Sequence, residues 1–160
     1  MRGIVSAVCI SANGGIPKYP QQVVTVDKFG LVGDYHNREM RPSFSMPGVM
    51  KANIRHITLV GKEALSAVNT KLGLELGAGS IGENILTEGL GELSEVHDGA
   101  TIRFQRGLVL TVVEQNEPCS NLRPLHRLMV KTIYGRRGLL CSIVDGVGTT
   151  VLPGDWIEVS

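Results

Sequence analysis

The chain has 160 residues, of which 42% are apolar and 19% are charged, and its formal net charge is +1. This globular composition excludes a disordered chain or a long coiled coil, and the small net charge argues against non-specific nucleic-acid binding. The 20 glycines and 7 prolines favour a β-rich fold with many tight turns. The length predicts a single domain over residues 1–160.

The first part of the chain predicts three strands and one long loop. Apolar residues indicate strands over 4–10, 23–26 and 54–60. Residues 28–53 lie between the last two of these strands and show no clear periodicity. Structureless segments of this length are unusual in a compact domain and are often functional.

The rest of the chain predicts two helices and five more strands. Leu65, Val68 and Leu72 lie on one face of a helix that ends near Gly73. A second apolar stripe, ending before Gly135, predicts another helix; its residues are Leu122, Leu125, Leu128, Met129 and Ile133. Strands are predicted over 84–87, 101–104, 108–113, 138–144 and 156–159, with a hairpin between 101–104 and 108–113. Together these elements predict a mainly β fold, a barrel with about two helices outside it.

The sequence also bears on where the protein is found. No apolar stretch is long enough to cross a bilayer, and the apolar N-terminal segment contains Ser6 and Cys9, so we interpret it as a strand and not as a signal peptide. Three cysteines without regular spacing argue against a disulfide framework. We therefore expect a cytoplasmic protein that makes no contact with membranes.

Cys119 is the most informative single residue. It lies between a predicted strand and the second predicted helix, where Ser120 or Asn121 would be a good N-cap. A thiol at a helix N-terminus and near cations is stabilised as the thiolate, which is both a nucleophile and a soft metal ligand. The alternative is a free cysteine packed in a loop. Cys9 and Cys141 lie in apolar strands and are expected to be buried and inert.

Basic residues follow Cys119 without any intervening acidic residue. Arg123, Arg127 and Lys131 have the i, i+4, i+8 spacing of one helix face, which either holds a phosphate or is simply solvated. Arg136 and Arg137 lie between two glycines and would form an anion clamp, because guanidinium groups bind phosphate oxygens in a bidentate manner.

Two further segments could contribute polar groups to a site. His36 and Asp34 could orient one another or bind a metal, although the four histidines do not have zinc-ligand spacing. Glu83 and Asn84 follow a Gly-rich turn that leads into a strand, so this turn is not a phosphate-binding loop, and the two side chains could simply close the turn. His36 and His126 are the candidate general acids, and neither spacing decides between them.

Taken together, short segments along the chain resemble the MOSC domain family, named after the C-terminal domain of molybdenum cofactor sulfurase. The segments are Gly14–Lys18, Gly30–Asp34 with His36, Gly82–Ile85, Pro118–Cys119, Gly135–Gly138 and Gly154–Asp155. The resemblance implies a β-barrel of the pyruvate kinase barrel type and a role with sulfur or with the molybdenum cofactor. It also implies that Cys119 carries sulfur or ligates molybdenum.

The resemblance further suggests which residues surround a bound cofactor. Arg136, Arg137 and, less directly, Arg123 would lie near the phosphate of molybdopterin. His36, Glu83 and Asn84 would line the same pocket. Larger family members carry an additional N-terminal β-barrel or a pyridoxal-phosphate sulfurtransferase domain, and the 160 residues leave room for neither, so no pyridoxal phosphate site is expected in this chain.

Three functions are consistent with these residues. The chain could bind the molybdenum cofactor as a reductase unit, or it could carry a persulfide on Cys119 in a sulfurtransferase-type reaction. Its partner would then be a sulfur donor, a sulfur acceptor or a molybdoenzyme. The alternative is a non-catalytic module that binds an anion or a protein through the basic region 123–137.

Overall fold

A computed structural model describes residues 1–160. Its strands are β1 (Arg2–Ile10), β2 (Tyr19–Gln21), β3 (Val24–Asp27), β4 (Gly30–Leu31), β5 (Met40–Pro42), β6 (Met50–Ala52), β7 (Ile57–Gly61), β8 (Ile85–Glu88), β9 (Thr101–Phe104), β10 (Val109–Gln115), β11 (Leu139–Asp145), β12 (Thr150–Val151) and β13 (Trp156–Val159). Its helices are α1 (Lys62–Leu72), a 3₁₀ turn (Ser120–Leu122) and α2 (Met129–Ile133).

Seven strands form a closed barrel in the order β13-β9-β10-β11-β7-β8-β1, and β1 completes the ring by pairing with β13. All neighbours are antiparallel except β7 and β8, which are parallel and are connected across α1. Strand β1 pairs with β13 over residues 2–4, with β8 over residues 4–8, where a bulge lies between Val5 and Ala7, and with β2 over residues 8–10. The predicted mainly β barrel with two helices is confirmed.

Two apolar cores stabilise this arrangement. The larger core comprises 22 buried residues, among them Leu59, Ile102 and Leu139. The smaller core packs α1 and α2 against the barrel wall through Leu65, Met129 and other buried residues. Helix α1 ends where Gly73 adopts the left-handed conformation with φ of 66°, as its sequence predicts.

The second predicted helix is wrong over most of its length. Only Met129–Ile133 is α-helical, and a three-residue 3₁₀ turn and further turns precede it. Pro124 has no backbone N–H to donate to Ser120. The N–H of Leu128, which a continuous helix would bond to the carbonyl of residue 124, instead donates to Nδ1 of His126 at 3.1 Å. Arg123 and Arg127 therefore do not share a helix face with Lys131.

The long loop contains more regular structure than its sequence suggests. Strands β5 and β6 pair only with each other and form a hairpin over residues 40–52. Its ladder residues are exposed or half-buried, so the apolar alternation that reveals most strands is absent. Phe44, at the tip, is 88% exposed.

Helices α1 and α2 are both short, and two of the three cysteines are buried. Neither α1 nor α2 has the length and apolar character needed to cross a bilayer. Cys9 and Cys141 are buried as predicted, and burial raises the pKa of each thiol to about 12.

Candidate functional site

A cavity of about 600 Å³ lies beside the hairpin of β5 and β6, and Cys119 forms part of its wall. Cavities of this size accommodate small molecules and cofactors. Its charged or titratable lining residues are Tyr35, His36, Arg38, Arg41, Arg55, Glu114, Glu117, Cys119 and Arg137. Counted from these side chains with histidine neutral and the thiol protonated, four arginines face two glutamates, so the lining is net positive.

Cys119 presents the exposed thiol of this cavity. It is the residue immediately before the 3₁₀ turn and is extended, with φ of −124° and ψ of 174°. Its Sγ contacts Oδ1 of Asn121, which accepts the thiol proton in a hydrogen bond. Because the turn is only three residues long, the expected helix dipole is absent. Positive charge near the sulfur must then come from side chains.

Arg137 supplies that positive charge. Its Nη1 lies 3.7 Å from Sγ of Cys119 and donates to the carbonyl of Glu117 at 2.9 Å. The residue is 8% exposed, and its Nε is buried without a hydrogen-bond partner. A bond to a main-chain carbonyl orients the guanidinium without neutralising it, so the group remains positively charged beside the sulfur.

A glycine determines the position of Arg137. Gly138 has φ of 91°, and a Cβ there would lie 1.9 Å from the carbonyl oxygen of Leu59 on β7. Only glycine allows this approach, and it brings the start of β11 against β7. The residue just before it, Arg137, is thereby held at the cavity wall.

Arg41 and Arg55 form a second basic group in the cavity. Arg55 makes an ion pair with Glu114, and the Nε atoms of both arginines are buried without partners. Burial and the nearby charge of Arg55 lower the pKa of Arg41. A buried donor without a partner costs about 1–3 kcal/mol. Together with Arg137, three guanidinium groups thus retain donors that an anion could satisfy.

These two arginines and Arg38 were missed by the sequence analysis. A signal was present: between residues 38 and 55 the chain has Arg38, Arg41, Lys51 and Arg55 but only Glu39 as an acid. The segment containing most of them was identified as a functional loop without its charge being counted. The hairpin determines which of these basic side chains face the same cavity. The apolar pattern does not reveal that hairpin.

Asn84 and Glu83 have different positions. Oδ1 of Asn84 accepts from the backbone N and the hydroxyl of Thr58, and its Nδ2 donates to the carbonyl of Cys9, so it connects β7, β8 and β1 at the cavity wall. Glu83 is 1% exposed and does not line the cavity. Its Oε1 accepts the N–H of Gly79 at 2.6 Å, and burial raises the pKa of its carboxyl group.

His36 lines the cavity and contacts a buried ion pair. Nζ of Lys18 lies 3.0 and 2.8 Å from the two carboxylate oxygens of Asp34 and 3.3 Å from Nδ1 of His36. Burial alone would raise the pKa of Asp34, but its hydrogen bonds and the charge of Lys18 outweigh burial and hold the pKa well below its usual range.

Arg136 and Arg123 are not brought to the cavity. Arg136 makes an ion pair with Glu92 at 2.9 Å, and Arg123 is exposed after the 3₁₀ turn. The proposed double clamp of Arg136 and Arg137 is therefore not formed, because adjacent side chains at this turn point to different surroundings. No cluster of three or more His, Cys, Asp or Glu side chains surrounds a metal-sized site.

Comparison with known proteins identifies the class to which this cavity and barrel belong. The MOSC domain family matches residues 47–158. YuaD of Bacillus subtilis (strain 168), described as a candidate metal-sulfur cluster biosynthesis protein, is 30% identical over an alignment of length 145, and the match covers 82% of this chain and 72% of YuaD. The chain belongs to the MOSC domain family.

Solved structures share the same fold. The crystal structure of B. subtilis YuaD superposes with a TM-score of 0.84 at 22% identity, covering 99% of this chain and 96% of that one. YiiM from Geobacillus stearothermophilus superposes with a TM-score of 0.69 at 18% identity, covering 99% of this chain and 75% of that one. The barrel is thus common to proteins whose sequences have diverged widely.

Proposed function

We propose that the protein carries sulfur as a persulfide on Cys119. The observation that carries this proposal is the exposed thiol of Cys119, within 3.7 Å of a guanidinium nitrogen of Arg137 at the wall of an open cavity. The description of YuaD as a candidate metal-sulfur cluster biosynthesis protein supports a role in sulfur chemistry. The two other thiols are buried, so Cys119 is the thiol that a donor can reach.

Sulfur transfer needs a donor that already contains sulfane sulfur, such as a protein persulfide. The Cys119 thiolate attacks the outer sulfur of the donor, a new S–S bond forms at Cys119, and the donor S–S bond breaks. The electron pair leaves with the donor thiolate, so no external oxidant is needed. Arg137 stabilises the attacking thiolate, and Asn121 accepts the hydrogen bond of the neutral thiol before the proton leaves to solvent.

Mass spectrometry tests this step. Incubation with a persulfide-forming sulfurtransferase and free cysteine should add about 32 Da at Cys119. Cys119→Ser should carry no adduct, and Arg137→Gln should slow its formation. Arg136→Gln is the matched control, since the adjacent Arg136 is paired with Glu92 instead. No adduct on the wild type, or the same adduct on Cys119→Ser, would exclude the proposal.

A second function, binding of the molybdenum cofactor, is favoured by the three buried Nε atoms without partners. Arg41, Arg55 and Arg137 fit the phosphate of the pterin, Cys119 fits a soft metal as its single protein thiolate, and the cavity volume fits a small cofactor. When bound, the cofactor would supply two-electron redox chemistry. The residues of this chain would hold its phosphate and limit the access of water.

Metal analysis separates the two functions. Protein purified gently from a host that makes the cofactor should contain molybdenum and pterin if the second function applies, and Arg137→Gln should lower the content of both. Wild-type protein that contains no metal but still accepts sulfur on Cys119 would exclude cofactor binding and support sulfur carriage. A basic binding module would instead tolerate Cys119→Ala in every measured activity and lose activity with Arg137→Gln.

A further inference from the structure

His36 lies between the cavity and a buried ion pair. Lys18 and Asp34 are respectively 2% and 7% exposed, and their ion pair lies behind the imidazole ring. The charged pair is therefore shielded from water and held in a fixed geometry. The side chain of His36, by contrast, is 50% exposed and forms part of the cavity lining.

The hydrogen-bonding capacity of Lys18 constrains the ring. An ammonium group has three N–H donors and no acceptor. Two of these donors are directed to the carboxylate oxygens of Asp34, at 3.0 and 2.8 Å, and the third has Nδ1 of His36 at 3.3 Å. An ammonium can donate to Nδ1 only when that nitrogen carries a lone pair. In the neutral ring the proton must then be on Nε2.

The competing arrangement has Nδ1–H donating to Asp34. That distance is 3.7 Å, which is too long for a good hydrogen bond. The same oxygen, Oδ2, already accepts from Nζ of Lys18 at 2.8 Å and from the backbone N of His36 at 3.3 Å. Both the distance and the occupied oxygen favour Lys18 as the partner of Nδ1.

We propose that Lys18 and Asp34 are positioning residues that fix His36 as the Nε2–H tautomer and so make it a permanent hydrogen-bond donor toward the cavity. No side chain or backbone group accepts from Nε2 within the protein, while the ring is held edge-on to Tyr35 at 5.2 Å between centroids. The acceptor is an oxyanion bound among the arginines. The oxyanion rests on the second proposed function, binding of a phosphate-bearing cofactor, whereas the tautomer of His36 does not.

Nitrogen NMR of protein labelled with ¹⁵N-histidine tests the tautomer directly. Protonated and unprotonated ring nitrogens have well-separated shifts, and the disappearance of signals in His36→Gln assigns His36. Wild-type protein should show an unprotonated Nδ1 and a protonated Nε2. A protonated Nδ1 in neutral His36 would overturn the proposal without need of any further variant.

Lys18→Met tests the cause. Without the ammonium, the Asp34 carboxylate has no cation, so Nδ1 should acquire a proton and donate to Asp34. Lys62→Met is the matched control, because Lys62 also pairs with a carboxylate, that of Glu88 at 2.9 Å, but lies on the surface. A folded Lys18→Met with the wild-type His36 spectrum would overturn the positioning role. If Lys18→Met does not fold, the wild-type spectrum still tests whether His36 is the Nε2–H tautomer.

Inorganic phosphate tests the donor role. At a concentration that saturates the thermal stabilisation of the protein, phosphate should shift the Nε2–H resonance of wild-type His36. A saturating effect on stability with no shift at Nε2 would overturn the donor role. The result is independent of sulfur transfer: a protein that forms no adduct at Cys119 but shows the fixed tautomer would refute the proposed function and leave this inference standing.

Discussion

Two groups of charged side chains border the same cavity and differ in how their hydrogen bonds are satisfied. Lys18 and Asp34 are buried and satisfy one another within the protein. Arg41, Arg55 and Arg137 each retain a buried Nε without a partner. Donors that are satisfied within the protein serve the fold, whereas donors that stay free are available to a ligand, and this holds for Nε of Arg55 even though its charge is also paired with Glu114. Stability and binding should therefore respond oppositely to substitutions in the two groups.

The largest expected effect is on the internally paired group. Lys18→Met leaves the carboxylate of Asp34 buried without a cation, which should lower the free energy of unfolding by about 3–5 kcal/mol. Arg137→Met removes a charge that has no carboxylate partner and should have a smaller effect. Urea denaturation of the two variants measures both values. Equal losses would show that the two groups are not distinguished by their internal pairing.

The same pair should shape the response to acid. The pKa of Asp34 is lowered on folding, so its contribution to stability is complete above about pH 4 and is lost as the pH falls below that value. One group contributes a slope of at most about 1.4 kcal/mol per pH unit. Denaturation of the wild type between pH 5 and pH 2, compared with Asp34→Asn, measures this slope. Parallel curves for the two proteins would contradict the assignment.

The second group should respond to anions. If phosphate binds the folded protein alone, a concentration about five times its dissociation constant stabilises the wild type by about 1 kcal/mol. Arg137→Gln should lose most of this stabilisation, and the adjacent control Arg136→Gln should keep it, because Arg136 is paired with Glu92 outside the cavity. Thermal melts with and without phosphate measure the difference. Loss with Arg136→Gln instead would place the anion elsewhere.

The smallest effect sets the baseline for both groups. Arg2 pairs with Glu158 at 3.3 Å on the outside of the barrel, where its side chain is 81% exposed. Exposed pairs contribute about 0–1 kcal/mol, so Arg2→Gln should leave unfolding almost unchanged and have no effect on phosphate stabilisation. A loss comparable to that of Lys18→Met would mean that burial does not account for the difference between the groups.

The barrel was predictable because its core strands follow local rules. Residues 101–104 and 108–113 alternate or run apolar around a glycine turn, and they form the expected hairpin of β9 and β10. The helix after Cys119 was not predictable from its leucine stripe, since Pro124 and the side chain of His126 divert backbone hydrogen bonds that the stripe does not report. Apolar spacing identifies a buried face but not a continuous helix.

The site was predictable only in part, for a related reason. The sequence brought attention to Cys119, Arg137, Asn84 and His36, and all four line one cavity. It did not separate Arg137 from Arg136, because neighbouring residues share composition but not direction. It also did not find Lys18 as the partner of Asp34, because the two residues are 16 positions apart and only the fold brings them together.

Gly138 connects the wall of the barrel to the reactive sulfur. This residue has a φ of 91°, and the carbonyl oxygen of Leu59 lies so close to it that there is no room for a methyl group. An alanine there would have to push β11 away from β7, and Arg137, one residue earlier, would move with the displaced chain. The contact between β11 and β7 therefore also determines where the positive charge beside Cys119 lies. A mutation chosen only to alter packing between these two strands would also change the chemistry of the thiol.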